Sequence, residues 1–231
     1  MTLLSCWRDR KSREASDSVT AVEPHHIPSS RERIIAAARV EVEAKGILGL
    51  RVQDVAQNAK VSVPLIYKYF VDRDGLLAEV LGEMFEEFVL EQLDASEAYF
   101  NALESPTVDD LLAVLALPQQ DFRRPRRWQR MQILAASMEI PALRTRLSLV
   151  QNILHERLVA FMDNAVRRIT NQEPTMSVNA LAMLVQSYGF GFILNDLLEE
   201  GGGGVTDDQF SSLMRTMLNG AMGLTSTTSL D

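Results

Sequence analysis

Residues 52–70 read VQDVAQNAKVSVPLIYKYF, and the pattern in this stretch decides the fold. Apolar residues recur at helical spacing on both sides of a break at about residues 60–62, which predicts two short helices joined by a tight turn. A helix-turn-helix unit needs a small residue where its helices cross, an apolar set beneath, and a sharp turn between them. Ala56 suits the crossing, while Val55, Ala59, Val61 and Ile66 suit the buried set. Ser62 is placed to cap the second helix. Pro64 falls in its first turn, where a missing amide has no intrahelical partner to lose. That assignment leaves Val63, Leu65, Tyr67, Lys68 and Tyr69 facing outward.

The helical signals continue in both directions. Upstream, Ser29-x-x-Glu32 is a capping box, followed by Ile34, Ile35, Ala38 and Val42 at helical spacing, with Gly46 as the stop. Downstream, Asp72 can cap a long helix reaching about Asn101, with Leu76, Leu77, Val80, Leu81, Met84 and Phe88 on one face. Thr107-x-x-Asp110 opens another helix, ended by Pro118. Further helices are expected at about 120–137, 143–170, 175–199 and 206–222, separated by Pro141, Pro174 and the glycine run 201–204. The last one has its own capping box, Thr206-x-x-Gln209. With no β segment and no internal repeat, the chain reads as all-α. Residues 1–28 are Ser-rich, mixed in charge and aperiodic, and read as a disordered tail; residues 224–231 read as a C-terminal tail.

Composition narrows the function classes. The chain has 231 residues, 46% hydrophobic and 23% charged, with a mean hydropathy of -0.03, enough for a sizeable core. One cysteine, Cys6, excludes a disulfide framework, and His25, His26 and His155 give no metal-ligand spacing. No apolar run reaches the roughly 18–20 residues that span a bilayer, so a cytoplasmic protein with no membrane partner is expected. The net charge of -8 is unevenly spread: residues 29–80 hold eight basic against seven acidic side chains, and the following residues hold eleven against twenty. A near-neutral segment on an acidic body suits a small nucleic-acid module. An enzyme is not expected, for want of a nucleophile–base pattern, a phosphate-binding glycine loop or paired His ligands. Residues 201–204 read as a flexible linker, and no cofactor is expected.

The sequence resembles the tetracycline-repressor (TetR) family of transcription regulators. The resemblance covers about residues 30–81: the first helix and its Gly46 stop, QDVA opening the second helix, VSVPLIYKYF, and DRDGLL opening the fourth. It implies a helix-turn-helix DNA-binding domain over 29–75 and a helical effector-binding and dimerisation domain over 76–223. The third helix would enter the major groove, presenting Val63, Leu65, Tyr67 and Lys68 to base edges, with Tyr69 near the backbone. Val63 and Leu65 offer apolar contact only, for instance to a thymine methyl. Arg73 matches a position where a basic residue touches phosphate, and Gln53 is placed for a base or phosphate contact. The sequence departs from the family pattern at three places, the first being Val42, where an aromatic is usual, which implies a compensating repack. Lys60 stands where a turn glycine is usual, which implies a left-handed residue costing about 1–2 kcal/mol, within reach of phosphate. Leu50 and Arg51 replace a hydroxyl residue at the start of the second helix, where Arg51 can supply the phosphate contact.

The resemblance further implies a homodimeric regulator, most often a repressor, bound to a palindromic double-stranded operator and released by an unknown effector. A ligand pocket is expected from Phe122, Trp128, Met131, Leu134, Met138, Phe161 and Met162, residues that equally suit plain core. The dimer interface is expected from Leu184, Val185, Tyr188, Phe192, Leu213, Met217 and Ala221 on the last two helices, with Gly189 and Gly191 permitting close helix approach. The arginine cluster at 123–130 reads either as a gate for an anionic effector, such as an acyl-thioester of coenzyme A, or as a solvated face paired with the acidic body; charge runs favour the second. The competing function is a helical protein–protein adaptor whose helix-turn-helix unit is structural only.

Overall fold

The computed structural model describes residues 28–115, 124–200 and 203–224. Phe122, Arg123, Pro118, the first 27 residues and most of the C-terminal tail lie outside them. The described residues form nine α-helices and no strand: α1 Ser30–Gly49, α2 Val52–Ala59, α3 Val63–Phe70, α4 Arg73–Asn101, α5 Val108–Leu115, α6 Arg124–Ala136, α7 Pro141–Thr170, α8 Val178–Glu200 and α9 Asp207–Ala221. The all-α expectation therefore holds.

Local chemistry sets the boundaries. At the start of α1 the Ser29 side chain accepts from the Glu32 amide at 3.2 Å while Glu32 accepts from the Ser29 amide at 2.6 Å, satisfying two orphan donors reciprocally. Gly46 breaks regular helical geometry at φ 74°, ψ 170°, a conformation that suits glycine. The Asp72 carboxylate accepts from the Gly75 amide at 2.7 Å ahead of α4. Thr107 and Asp110 exchange hydrogen bonds ahead of α5, and the Thr107 hydroxyl holds the Asp110 carboxyl below its ordinary range. Pro141, expected as a separator, instead opens α7, where a proline costs no intrahelical bond.

The chain divides into two compact units, and neither is one continuous stretch. Unit 1 holds the described residues up to 87 together with 132–150; unit 2 holds 88–131 and the residues from 151 onward. The long helix α4 passes through residues 75/76 and through the 87/88 division alike. In unit 1, the buried core includes Ile34, Ala38, Val55, Ile66, Leu76, Leu77, Val80, Leu81, Leu143 and Val150. In unit 2, Phe100 and Phe161 meet edge to face at 5.5 Å, with Leu111, Met162 and Ala165 also buried.

The membrane expectation needs one correction. Among the described residues, α8 is long and apolar enough to cross a membrane by length and composition, although only a third of that stretch is buried. Polar residues such as Gln186, Ser187 and Asn195 interrupt its apolar run without offsetting it. A search for uninterrupted runs passes over such a helix.

Candidate functional site

In unit 1, α2 and α3 form the two-helix unit expected at 52–70. Val52, Val55, Ala56 and Ala59 are buried on α2, and Ile66 and Phe70 on α3. Lys60 takes the left-handed conformation expected of it, φ 55°, ψ 48°. The turn closes through the Lys60 and Val61 amides, the latter donating to the Ala56 carbonyl at 3.0 Å. Two expectations are corrected. Ser62 occupies the cap position of α3, but its side chain makes no capping hydrogen bond. Val61 is only half-buried, because the left-handed turn carries it to the rim of the core.

The unit is fixed to α1 by polar contacts. Asn58 donates to Glu41 at 2.8 Å, and Lys45 bridges Asp54 at 2.8 Å and Glu41 at 2.6 Å. These carboxylates, Asp54 foremost, raise the Lys45 pKa above its ordinary value. Arg31 and Arg39 of α1 pair with Glu79 and Glu87 of α4. Arg73 donates to the carbonyls of Ile47 at 3.0 Å and Leu50 at 3.3 Å. It therefore tethers the connection between α1 and α2, a structural task that the sequence did not reveal.

What remains outward on this scaffold is a continuous set of side chains. Tyr67, Lys68 and Tyr69 are exposed, as are Pro64, Arg51, Gln53 and Lys60; Val63 and Leu65 are half-buried. Because α3 is held from beneath by Ile66 and Phe70, these groups project from a rigid element, as a surface that reads another molecule must.

Unit 2 contains a cavity of about 140 Å³. Its apolar wall includes Phe88, Leu93, Leu158, Phe161, Phe190 and Ile193, and Gln92, Ser96 and Gln186 add polar groups. Of the expected pocket residues, Phe161 lines it. Trp128 and Met131, half-buried and exposed, do not, and Met162 is buried in the core. Leu134 and Met138 belong to unit 1, Met138 largely exposed. Gly189 lines the cavity, and a Cβ built on it would meet nothing within 4 Å, so it serves no close helix contact among the described residues; a Cβ on Gly191 likewise meets nothing within 4 Å.

The arginine cluster is corrected most. Arg126 makes a surface ion pair with Glu91 at 3.2 Å, while Arg124 reaches both Glu199 at 3.9 Å and the buried Asp196 carboxylate at 3.6 Å. Arg127, however, is buried and paired with buried Asp196, and Arg130 lies over the Phe190 ring at 4.4 Å. Arg126, Arg127 and Arg130 all line the cavity. Arg126 and Arg130 stand at i, i+4 and Arg127 and Arg130 at i, i+3 on α6, a spacing that groups them without indicating which turns inward.

Of the expected dimer residues, Leu184, Leu213, Met217 and Ala221 are exposed. Phe192 is buried, Val185 lines the cavity, and Tyr188 stacks on Phe210 at 4.0 Å. These three do work inside the protomer.

Residues 34–80 match the family model described as bacterial regulatory proteins, tetR family. The chain is 32% identical over 80 residues to the HTH-type transcriptional regulator HbdR of Aromatoleum sp. (strain CIB), a match spanning 35% of this chain and 34% of that relative. It therefore matches about a third of that curated relative's length. Salmonella enterica GusR shares the fold with a TM-score of 0.55 at 21% identity, over 90% of this chain and all of that one. The multidrug binding protein EbrR, solved with malachite green, gives 0.53 at 25% identity, over 83% and 98%.

Proposed function

We propose that this chain, whose residues 34–80 match the tetR family of bacterial regulatory proteins, acts in the cytoplasm as a homodimeric, ligand-responsive repressor. The third helix of each protomer enters a major groove of a palindromic operator. The observation that carries this reading is the outward set on α3, Tyr67, Lys68 and Tyr69, standing on a buried helix-turn-helix core. Tyr67 and Lys68 reach base edges, with Val63 and Leu65 beside thymine methyls. Arg51, Gln53, Lys60 and Tyr69 approach the phosphates, which position the protein without specifying sequence. Arg73 contributes chiefly by holding the loop that carries Arg51.

The effector occupies the cavity of unit 2; the similar EbrR is a multidrug binding protein solved in complex with malachite green. An effector that prefers a conformer with wrongly spaced recognition helices weakens DNA binding, and DNA weakens effector binding by the same factor. Exposed Leu184, Leu213 and Met217, with Ala221, supply the pairing surface.

The test is a fluorescence-anisotropy titration at one fixed salt concentration, using fragments selected from genomic DNA beside scrambled duplexes. A specific regulator binds its selected fragment some 10³-fold or more tightly than the scrambled duplex. Lys68→Ala lowers that affinity while circular dichroism stays unchanged. Equal binding to both duplexes, with Lys68→Ala indifferent, would instead support the adaptor reading.

A further inference from the structure

We propose that the unit 2 cavity takes an uncharged apolar molecule, a single hydrocarbon ring carrying no ionised group, and discriminates against ions of either sign; this rests on the effector reading above. Among the described residues, six polar side chains line the cavity: Gln92, Ser96, Gln186, Arg126, Arg127 and Arg130. The protein already engages each of them. The Ser96 hydroxyl donates to the Gln92 carbonyl at 2.8 Å. The Gln186 amide donates to Nδ1 of His155 at 2.8 Å and to the Ala182 carbonyl at 3.3 Å, while its oxygen accepts from Gln151. Arg126 is paired with Glu91 and Arg127 with Asp196, so each of these guanidinium groups meets a carboxylate. Arg130 lies over the Phe190 ring at 4.4 Å, and neither it nor Gln92 stands free.

The consequence for charge is symmetric. A carboxylate that enters sheds water and must draw a guanidinium or an amide away from a partner already in place. An ammonium sheds water and meets no carboxylate, because no Asp or Glu lines the cavity among the described residues. Burial without a matching partner costs an ion far more than it costs an uncharged molecule. What the wall does offer is hydrocarbon: Leu93, Leu154, Leu158 and Ile193, with the rings of Phe88 and Phe161. Such contacts are weak one by one and large in sum. Size fixes the scale, since an apolar cavity of about 150 Å³ takes benzene and this one measures about 140 Å³.

Toluene, benzoate and benzylamine share one ring and differ in charge at neutral pH, and titration calorimetry on the full chain without DNA compares them. Toluene should bind saturably, one molecule per chain, about tenfold or more tightly than either ion. Gly189 lines the cavity at a point where an added Cβ meets nothing within 4 Å. Gly189→Leu should therefore fill the space and abolish toluene binding while circular dichroism stays unchanged. The proposal is overturned if benzoate or benzylamine matches toluene, if toluene does not bind, or if folded Gly189→Leu protein binds toluene as before. Should Gly189→Leu fail to fold, the ranking of the three compounds on the unaltered protein decides. The operator titration is a separate assay: failure here with specific DNA binding intact overturns the ligand class alone, whereas loss of specific DNA binding strikes the regulator reading.

Discussion

Val71 is a β-branched residue at φ 67°, ψ -57°, directly after the third helix. The Asp72 amide donates to the Phe70 carbonyl across it at 2.7 Å, closing a γ-turn of the strained hand. Its side chain is 82% exposed, so little packing offsets a strain of about 1–3 kcal/mol. Val71→Gly should therefore raise the melting temperature by a few degrees, about 2–4 °C per kcal/mol relieved, less what glycine's greater freedom in the unfolded chain takes back. Thermal circular dichroism reads this directly, and an unchanged or lower melting point would contradict the strain. The left-handed Lys60 was legible in the sequence because a glycine is expected at that turn. Val71 was not: its conformation is imposed by how closely α4 returns to α3, where a Cβ on Gly75 would sit 2.0 Å from the Phe70 oxygen. A side-chain pattern carries no trace of such an approach.

Helix ends are local, and both capping boxes were legible from four residues each. Thr206 accepts from the Gln209 amide at 3.3 Å while Gln209 accepts from the Thr206 amide at 3.0 Å. Thr206→Ala should cost about 1 kcal/mol, visible as faster hydrogen exchange in the first turn of α9. The α6 arginines were misjudged for the opposite reason. Arg127 finds its partner in Asp196, 69 residues downstream, and spacing within one helix cannot indicate which of several arginines turns inward. Asp196→Asn leaves the Arg127 charge buried without its carboxylate. It should lower unfolding free energy by about 3–5 kcal/mol in denaturant titrations, where a loss under about 1 kcal/mol would place the pair at the surface. The cavity was illegible on the same grounds, because its wall gathers residues from α4 through α8 and leaves a gap that no single helix records.

Across the protomer, α8 and α9 leave Leu194, Leu197, Leu198, Leu213 and Met217 to solvent, Leu194 at 65% and Leu213 at 56% exposure. Scattered apolar residues are ordinary on a monomer; their concentration on two neighbouring stretches of chain supports the pairing surface proposed above. Leu213→Glu with Met217→Glu should yield a monomer in light scattering and weaken operator binding with the fold retained; a dimer surviving both changes would place the interface elsewhere. The division of the chain bears on inheritance. Unit 1 is completed by residues 132–150, which bury Ile133, Ile140, Leu143, Leu147 and Val150, while 88–131 belong to unit 2. A single genetic crossover after codon 87 would strand that returning segment, and one after codon 150 would carry part of unit 2 along with it. Neither unit can be traded between genes as one uninterrupted cassette; moving unit 1 whole takes junctions after codons 87, 131 and 150.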